Sequence, residues 1–343
     1  MVDTDDWATH GEAVGEGSHR IPLPMPYRGL RATNVYALES NDELVLIDAG
    51  WAMESYERAL ESGLNRLGRS LADVTRFLVT HVHRDHYPQA VVVRRRFGTR
   101  VCLGFGEQPT LRKLSEPGTD WFGPHLSLLR ANGAQVLIPL LRREFGPMVV
   151  DPDEWESPDE WLFHDQIIAV GGRRVRVIHT PGHTQGHVVF VDSEAGMLFA
   201  GDHVLPEITP SIGFESVLGA LPLGDYLRSL ARVRRLPDLR LLPAHGPIAP
   251  SVHARVDELI EHHSQRLAES RMAMSGKVLT AYDVAQQLLW TGSRRPFRAL
   301  RPFDQMLAVN ETGAHLDLLV ARADAKMRVD NDGLRLYSEP DCG

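Results

Sequence analysis

Four short apolar runs in this chain end abruptly in histidine or aspartate. "RFLV" leads into His81, His83, Asp85 and His86, and "RVRVI" into "HTPGHTQGH" with His179, His183 and His187. "LFAG" leads into Asp202 and His203, and "RLLP" into His245. Short apolar runs bounded by turn signals read as buried strands. Strand ends on one edge of a sheet converge, so side chains far apart in sequence can meet in one cleft. Imidazole nitrogen and carboxylate oxygen are ligands for zinc, iron or manganese. A carboxylate can bridge two ions, and dinuclear sites hold them ~3.5–4 Å apart.

The intervening segments supply the other layers. "NVYALESNDELVLIDAG" reads as two strands turning at Asn41-Asp42. "SYERALESGLNRLGRS" spaces Leu60, Leu64 and Leu67 as an amphipathic helix. "IIAVGGRRVRVIHT" is a hairpin turning at Gly171-Gly172. "HVVFVDSEAGMLFAGD" is another, turning around Ser193–Gly196. Between Gly106 and Trp161 the pattern weakens, consistent with an insertion; "GPHLSLLRANGA" is a helix ended by Gly133, and "DPDEWESPDEW" reads as a solvated loop. Strands separated by helices indicate two sheets flanked by helices. A long polar helix, "SVHARVDELIEHHSQRLAES", leads out of this unit. Beyond Arg271 come a helix with a Thr280 cap signal, a second helix and a hairpin around Asn331-Asp332-Gly333, the pattern of a winged-helix-like tail. The expected division is 1–270 and 271–343.

Composition narrows the function. With 343 residues, 43% hydrophobic, the chain buries a core that needs no metal for stability alone, so a metal site here serves chemistry. The net charge of −8 disfavours nucleic acid as a partner. Cys102 and Cys342 form no C-x-x-C pair. The N-terminal stretch is acidic and polar without an apolar leader core, and no apolar run approaches a membrane span, so a cytoplasmic protein acting on a small molecule is expected. A homo-oligomer is compatible with these features.

The segment His81-Val82-His83-Arg84-Asp85-His86, together with Asp48 in "LIDAG", His183, Asp202 and His245, resembles the metallo-β-lactamase superfamily, with its H-x-H-x-D-H hallmark, over about residues 20–248. The resemblance implies an αββα sandwich, an α/β fold, and two divalent ions, zinc first, with iron or manganese as alternatives. It implies that His81, His83 and His183 hold one ion, that Asp85, His86 and His245 hold the other, and that Asp202 bridges them. Asp48 would support the ligands from behind; His187, at the start of a strand, reads from its position as a supporting residue that orients the loop bearing His183, or as a packing residue like His179. The implied reaction is hydrolysis, a metal-bridging hydroxide attacking a thioester, ester or lactone carbonyl, with Asp85 orienting it and shuttling its proton. Phosphodiester or RNA cleavage, suggested by the tail, and a mono-iron thiol dioxygenase are the alternative enzymes; a winged-helix binding protein is the non-enzymatic one. Asp202 stands where the zinc β-lactamases have Cys or Ser, which argues against antibiotic hydrolysis.

Some residues remain open at this level. Tyr87-Pro88-Gln89 replaces the usual Gly-Gly, and Tyr87 either lines the substrate pocket or packs. His203 either faces the cleft or points away. His125, His164, His262 and His263 read as surface histidines. Glu311 and His315, four apart on a helix, read as a surface ion pair. Arg294, Arg295, Arg298 and Arg301 read as a solvated basic loop.

Overall fold

Alternation along the strands decides the architecture. The computed structural model describes residues 6–25, 30–40 and 43–340; the turn expected at Asn41-Asp42, and Cys342, lie outside the described residues. Within them, β1 (Glu12–Gly15), β2 (Ser18–Pro24), β3 (Ala32–Glu39), β4 (Leu44–Ile47), β5 (Arg76–Val79), β6 (Arg100–Gly104) and β7 (Glu160–Leu162) form one sheet in chain order. It is antiparallel from β1 to β4 and parallel from β4 to β7. A second sheet contains β8 (Ile167–Val170), β9 (Arg173–His179), β10 (Val188–Asp192), β11 (Met197–Gly201) and β12 (Arg240–Pro243), in the order β12-β11-β10-β9-β8. Successive strand residues point to opposite faces. In β4, Val45 and Ile47 pack with Tyr36, Phe190 and Phe199 in the core between the sheets. Leu44 and Leu46 join the other core, beneath the helices. Strands apolar on both faces must be covered on both.

α1 (Glu54–Asn65) buries Tyr56, Leu60 and Leu64 on one face, as its spacing requires. α2 (Pro88–Phe97) follows the histidine cluster directly; Pro88 opens it and Gly98, at φ 75°, closes it in the left-handed region. α3 (Gln108–Leu114), α4 (Gly123–Ala131) and α5 (Ile138–Phe145) fill the segment that reads weakly in sequence. α6 (Pro222–Arg234) and α7 (Val252–Ala273) pack together beside the second sheet.

The tail continues with α8 (Ala281–Gln287), whose Thr280–Asp283 capping box is formed. A short pair follows, β13 (Leu289–Trp290) with β14 (Arg295–Pro296), then α9 (Pro302–Ala321) and the hairpin β15 (Lys326–Val329) and β16 (Arg335–Ser338). α9 is buried nearly all round because it packs on α4, α5, α6, α7 and α8. The boundary expected at residue 270 falls inside α7, and Met306, Val309 and Leu316 of α9 share one apolar core with Leu230 and Val256. No helix among the described residues is long and apolar enough to cross a membrane.

Candidate metal centre

β4 and β5 run parallel, so their C-terminal ends deliver Asp48 and the His81–His86 loop to one edge of the first sheet. β9, β11 and β12 end at one edge of the second sheet and deliver the His183 loop, Asp202 and His245. The two edges meet. Ligand-capable atoms of His81, His83 and His183 lie within 4.8 Å of one another, as do those of Asp85, His86 and His245, and those of His81, His86 and Asp202. Asp202 spans the two sets: Oδ2 is 3.4 Å from His183 Nε2, and Oδ1 is 3.3 Å from His245 Nε2 and 3.7 Å from His86 Nε2.

Each imidazole is oriented by a partner on its far side. Thr80 Oγ1 donates to Asp48, so at His81 it accepts from Nδ1–H (3.1 Å), which leaves His81 Nε2 bare. His86 Nδ1–H donates to Asp48 Oδ2 (3.0 Å), His183 Nδ1–H to Ser211 O (2.8 Å) and His245 Nδ1–H to Ala32 O (2.8 Å). His83 is turned the other way: Nε2–H donates to Phe214 O (2.9 Å), and its bare Nδ1 lies 2.9 Å from His183 Nε2. Two bare nitrogens facing each other at that distance are mutually repulsive unless a cation or proton stands between them. His81 Nε2, His86 Nε2, His245 Nε2 and Asp202 Oδ1 are buried without a hydrogen-bond partner. These orphaned atoms, all aimed into one space, fit metal ions of the divalent N/O-binding class.

The electrostatics agree. Burial and the neighbouring imidazoles depress His81 well below the usual histidine range, and burial pushes His83 down to about 4, so both rings are neutral as metal ligands must be. Burial also opposes charge on His86, but Asp85, Asp48 and Asp202 outweigh it and raise His86 well above its ordinary value. A carboxylate field that attracts a proton to His86 attracts a divalent cation equally well.

His187 stands behind the ligands. Its Nε2 accepts from the Asp202 backbone N–H (3.1 Å), and its Nδ1 meets Thr180 Oγ1 (2.9 Å). His179 Nε2–H holds Gln185 O (2.9 Å) across the same loop. Other expectations are corrected. Tyr87 does not line a pocket: it is fully buried, stacks on Trp155 at 6.4 Å and donates its hydroxyl to Glu156 O. His203 turns away from the cleft, buried against Tyr226 at 5.2 Å. His125 and His263 are buried, not superficial; His164 is exposed and His262 half-buried. Glu311 and His315 form no ion pair: His315 Nδ1–H donates to the Glu311 carbonyl (2.7 Å), and its Nε2 meets His263 Nδ1 at 3.1 Å.

A cavity of about 450 Å³ opens onto His83, Asp85, His183, Asp202 and His245. Its walls include Trp51, Trp121, Phe122, Phe145, Phe214 and Phe303, none of which stands out in sequence as a site residue. Three of them, Trp121, Phe122 and Phe145, come from the segment between Gly106 and Trp161, whose sequence pattern is weak. Behind the His183 loop lie two buried carboxyls also missed in sequence. Glu107 accepts from Thr184 Oγ1, and Glu215 accepts from Thr110 Oγ1 (2.7 Å) and the Gln185 N–H (3.1 Å).

A family model described as the Metallo-beta-lactamase superfamily matches residues 28–245. A probable metallo-hydrolase of Bacillus subtilis (strain 168) is 25% identical over 319 residues, covering 88% of this chain and 91% of that protein. A beta-lactamase-like protein 2 homolog of Drosophila melanogaster is 28% identical, covering 69% of this chain and 66% of its own length. Among solved structures, a metallo-beta-lactamase family protein from Thermus thermophilus superposes with a TM-score of 0.74 at 28% identity, covering 95% of this chain and 100% of that one. A beta-lactamase domain protein from Burkholderia ambifaria gives 0.80 at 25% identity, covering 97% and 95%. The sheet order, the two converging ligand sets and these likenesses agree: the chain belongs to the metallo-beta-lactamase superfamily and is a metal-dependent hydrolase.

Proposed function

We propose that the chain hydrolyses a carboxylic thioester, ester or lactone, using two zinc ions. His81, His83 and His183 would hold one ion, Asp85, His86 and His245 the other, and Asp202 would serve both. Bound there, the ions would supply Lewis-acid polarisation of the carbonyl and lower the pKa of a water molecule. The protein's own groups orient and exclude. Burial opposes the ionised form of Asp85, yet His86 and His245 hold its carboxyl well below the usual range. It therefore stays a carboxylate, able to accept a hydrogen bond from the attacking water and so to orient it. Thr33 Oγ1–H, 3.4 Å from Asp85 Oδ2, limits the rotation of that carboxylate. The aromatic walls keep bulk water from the reacting carbonyl.

The observation that carries the acyl reading is the lining of the cavity. Beside the ligands it is mainly aromatic and aliphatic, and its cations Arg84 and Arg301 are balanced by Glu144 and Asp304. A polyanionic RNA strand calls for a cationic groove that tracks its backbone, and this cleft offers none. The second ligand set, complete in itself, supports two ions over the single iron of a thiol dioxygenase. Metal analysis of freshly purified protein followed by a substrate panel tests the proposal. Two zinc ions per chain with turnover of thioesters, esters or lactones is the expected result. Turnover restricted to RNA or a bis-phosphodiester, or one iron with oxygen consumption, would replace it.

A further inference from the structure

We infer that the scissile carbonyl of the substrate carries a bulky aromatic group, read by the 106–161 segment together with the first turn of α9; this rests on the acyl-hydrolase reading. Phe122, Phe145, Phe214 and Phe303 form one connected wall. The ring centroids of Phe122 and Phe145 are 5.2 Å apart, those of Phe145 and Phe303 5.6 Å, and those of Phe214 and Phe303 5.7 Å, at interplanar angles from 43° to 83°. The wall begins at the metal site itself. The Phe214 ring is 6.0 Å from that of His83, and its carbonyl takes the His83 Nε2–H. A group attached to a carbonyl at the ligand cluster therefore meets Phe214 first and Phe303 next.

Phe145, Phe214 and Phe303 are only half-buried in the protein, so their remaining apolar surface faces the cavity. Apolar surface left wet is unfavourable, and a ligand that covers it gains what water loses. Tilted rings offer edges and faces together, the arrangement that receives another ring best at 4.5–7 Å. The cavity, about 450 Å³, lies within the range of sites for drug-sized ligands and far exceeds an acetyl group. Its aromatic walls come from different parts of the chain. Phe122 and Phe145 belong to the α4–α5 region, and Phe303 follows Pro302 at the start of α9, where Arg301 Nε donates to Asp304 Oδ2 (2.9 Å) and pins the turn. This gives the tail a role in the active cleft: it carries a specificity residue.

The test compares N-acetylcysteamine thioesters that share one leaving group: acetyl, octanoyl and 2-naphthoyl. In the metal-loaded protein, kcat/KM for 2-naphthoyl is expected to exceed that for acetyl by at least about 100-fold, and to exceed that for octanoyl. Phe303→Ala is expected to reduce the naphthoyl-to-acetyl ratio by about tenfold or more, mainly through KM, and Phe303→Leu by less. Thermal melts of both variants separate misfolding from lost recognition. Quenching of tryptophan fluorescence by 2-naphthoate, with acetate as control, reads the pocket without turnover. Equal handling of acetyl and 2-naphthoyl, a preference for octanoyl, or no naphthoate binding would overturn the inference. Failure to hydrolyse any acyl substrate, with naphthoate still bound, would count against the acyl-hydrolase reading and leave the aromatic pocket standing.

Discussion

Asp48 Oδ2 lies 3.0 Å from His86 Nδ1, and this contact decides which nitrogen of His86 faces the cleft. Asp48 also takes the backbone N–H and hydroxyl of Thr80, at 2.8 and 2.9 Å, and Thr80 in turn fixes His81. One carboxylate thus orients a ligand from each set. It does so from the left-handed region, at φ 62°, where asparagine is well tolerated. Asp48→Asn therefore keeps the backbone and removes the charge. Metal affinity is expected to fall about 10–100-fold, measured by competition with a chromophoric chelator. Unchanged affinity would mean that Asp48 only closes the β4 turn.

Among the described residues, Asp202 is the carboxylate that turns one oxygen to each ligand set, and His83 contributes to one set only. Both Asp202→Ala and His83→Ala are expected to abolish measurable turnover. Their metal content should differ, with Asp202→Ala weakening both ions and His83→Ala retaining close to one per chain by mass spectrometry. Full activity in either variant would refute the two-set mechanism.

Metal removal should cost stability as well as activity. Three carboxylates, Asp48, Asp85 and Asp202, converge with five imidazoles in one buried region. An ion that binds the folded chain stabilises it by about 2.7 kcal/mol at a hundredfold excess over Kd. For a chain of 343 residues that corresponds to a melting shift of roughly 4 °C per ion. Scanning calorimetry with and without chelator checks this, and Asp202→Ala should show a smaller difference.

The ligands were legible because their chemistry is compact: His81, His83, Asp85 and His86 are nearly contiguous, and His183, Asp202 and His245 each follow a strand. The hairpins were legible from alternation and turn residues, such as Gly171 and Gly172, both at positive φ. What escaped depended on tertiary packing. "DPDEWESPDEW" reads as a solvated loop, yet Trp155 within it is fully buried under Tyr87 and Trp121. α7 looks polar along its length, but Val256, Leu259 and Leu267 stand at helical spacing from His263 and place it on the buried face, a sparse stripe that the surrounding charged residues obscure. α9 carries apolar residues around most of its circumference, which conceals the face that bears Phe303. α2 was not read as a helix: Pro88 and Gly98 bound it, but its arginine-rich second half obscures the helical period.

Burial raises Glu215 from its ordinary 4.5 to about 7, even though Thr110 and the Gln185 N–H favour the ionised form. Glu107, close by, is raised as well, by burial and by the Glu215 charge. In the folded state Glu215 therefore holds its proton where the unfolded chain has lost it. Its contribution is fully present below about pH 4.5 and is lost as the pH rises through about 7, a change of about 3 kcal/mol. Glu215→Gln is expected to flatten the decline in stability between pH 5 and pH 8. Urea titrations across that range measure the slope, and an unchanged slope would remove Glu215 from the account.

Gly182 sets the position of the loop that carries His183. Its φ is +143°, a value that L side chains rarely adopt, and an added Cβ would stand 2.5 Å from Tyr226 Cα and 2.4 Å from Tyr226 Cβ. Tyr226 has little room to yield, because it is fully buried in α6 and its hydroxyl donates to His203 O at 2.9 Å. Gly182→Ala must therefore displace the loop, not the helix. The expected destabilisation is about 2–4 kcal/mol from strain and overpacking together. A displaced His183 also separates from His83 and Asp202, so metal affinity should fall with stability. A variant as stable as the parent, with unchanged metal binding, would show that the loop does not rest on α6 at this point.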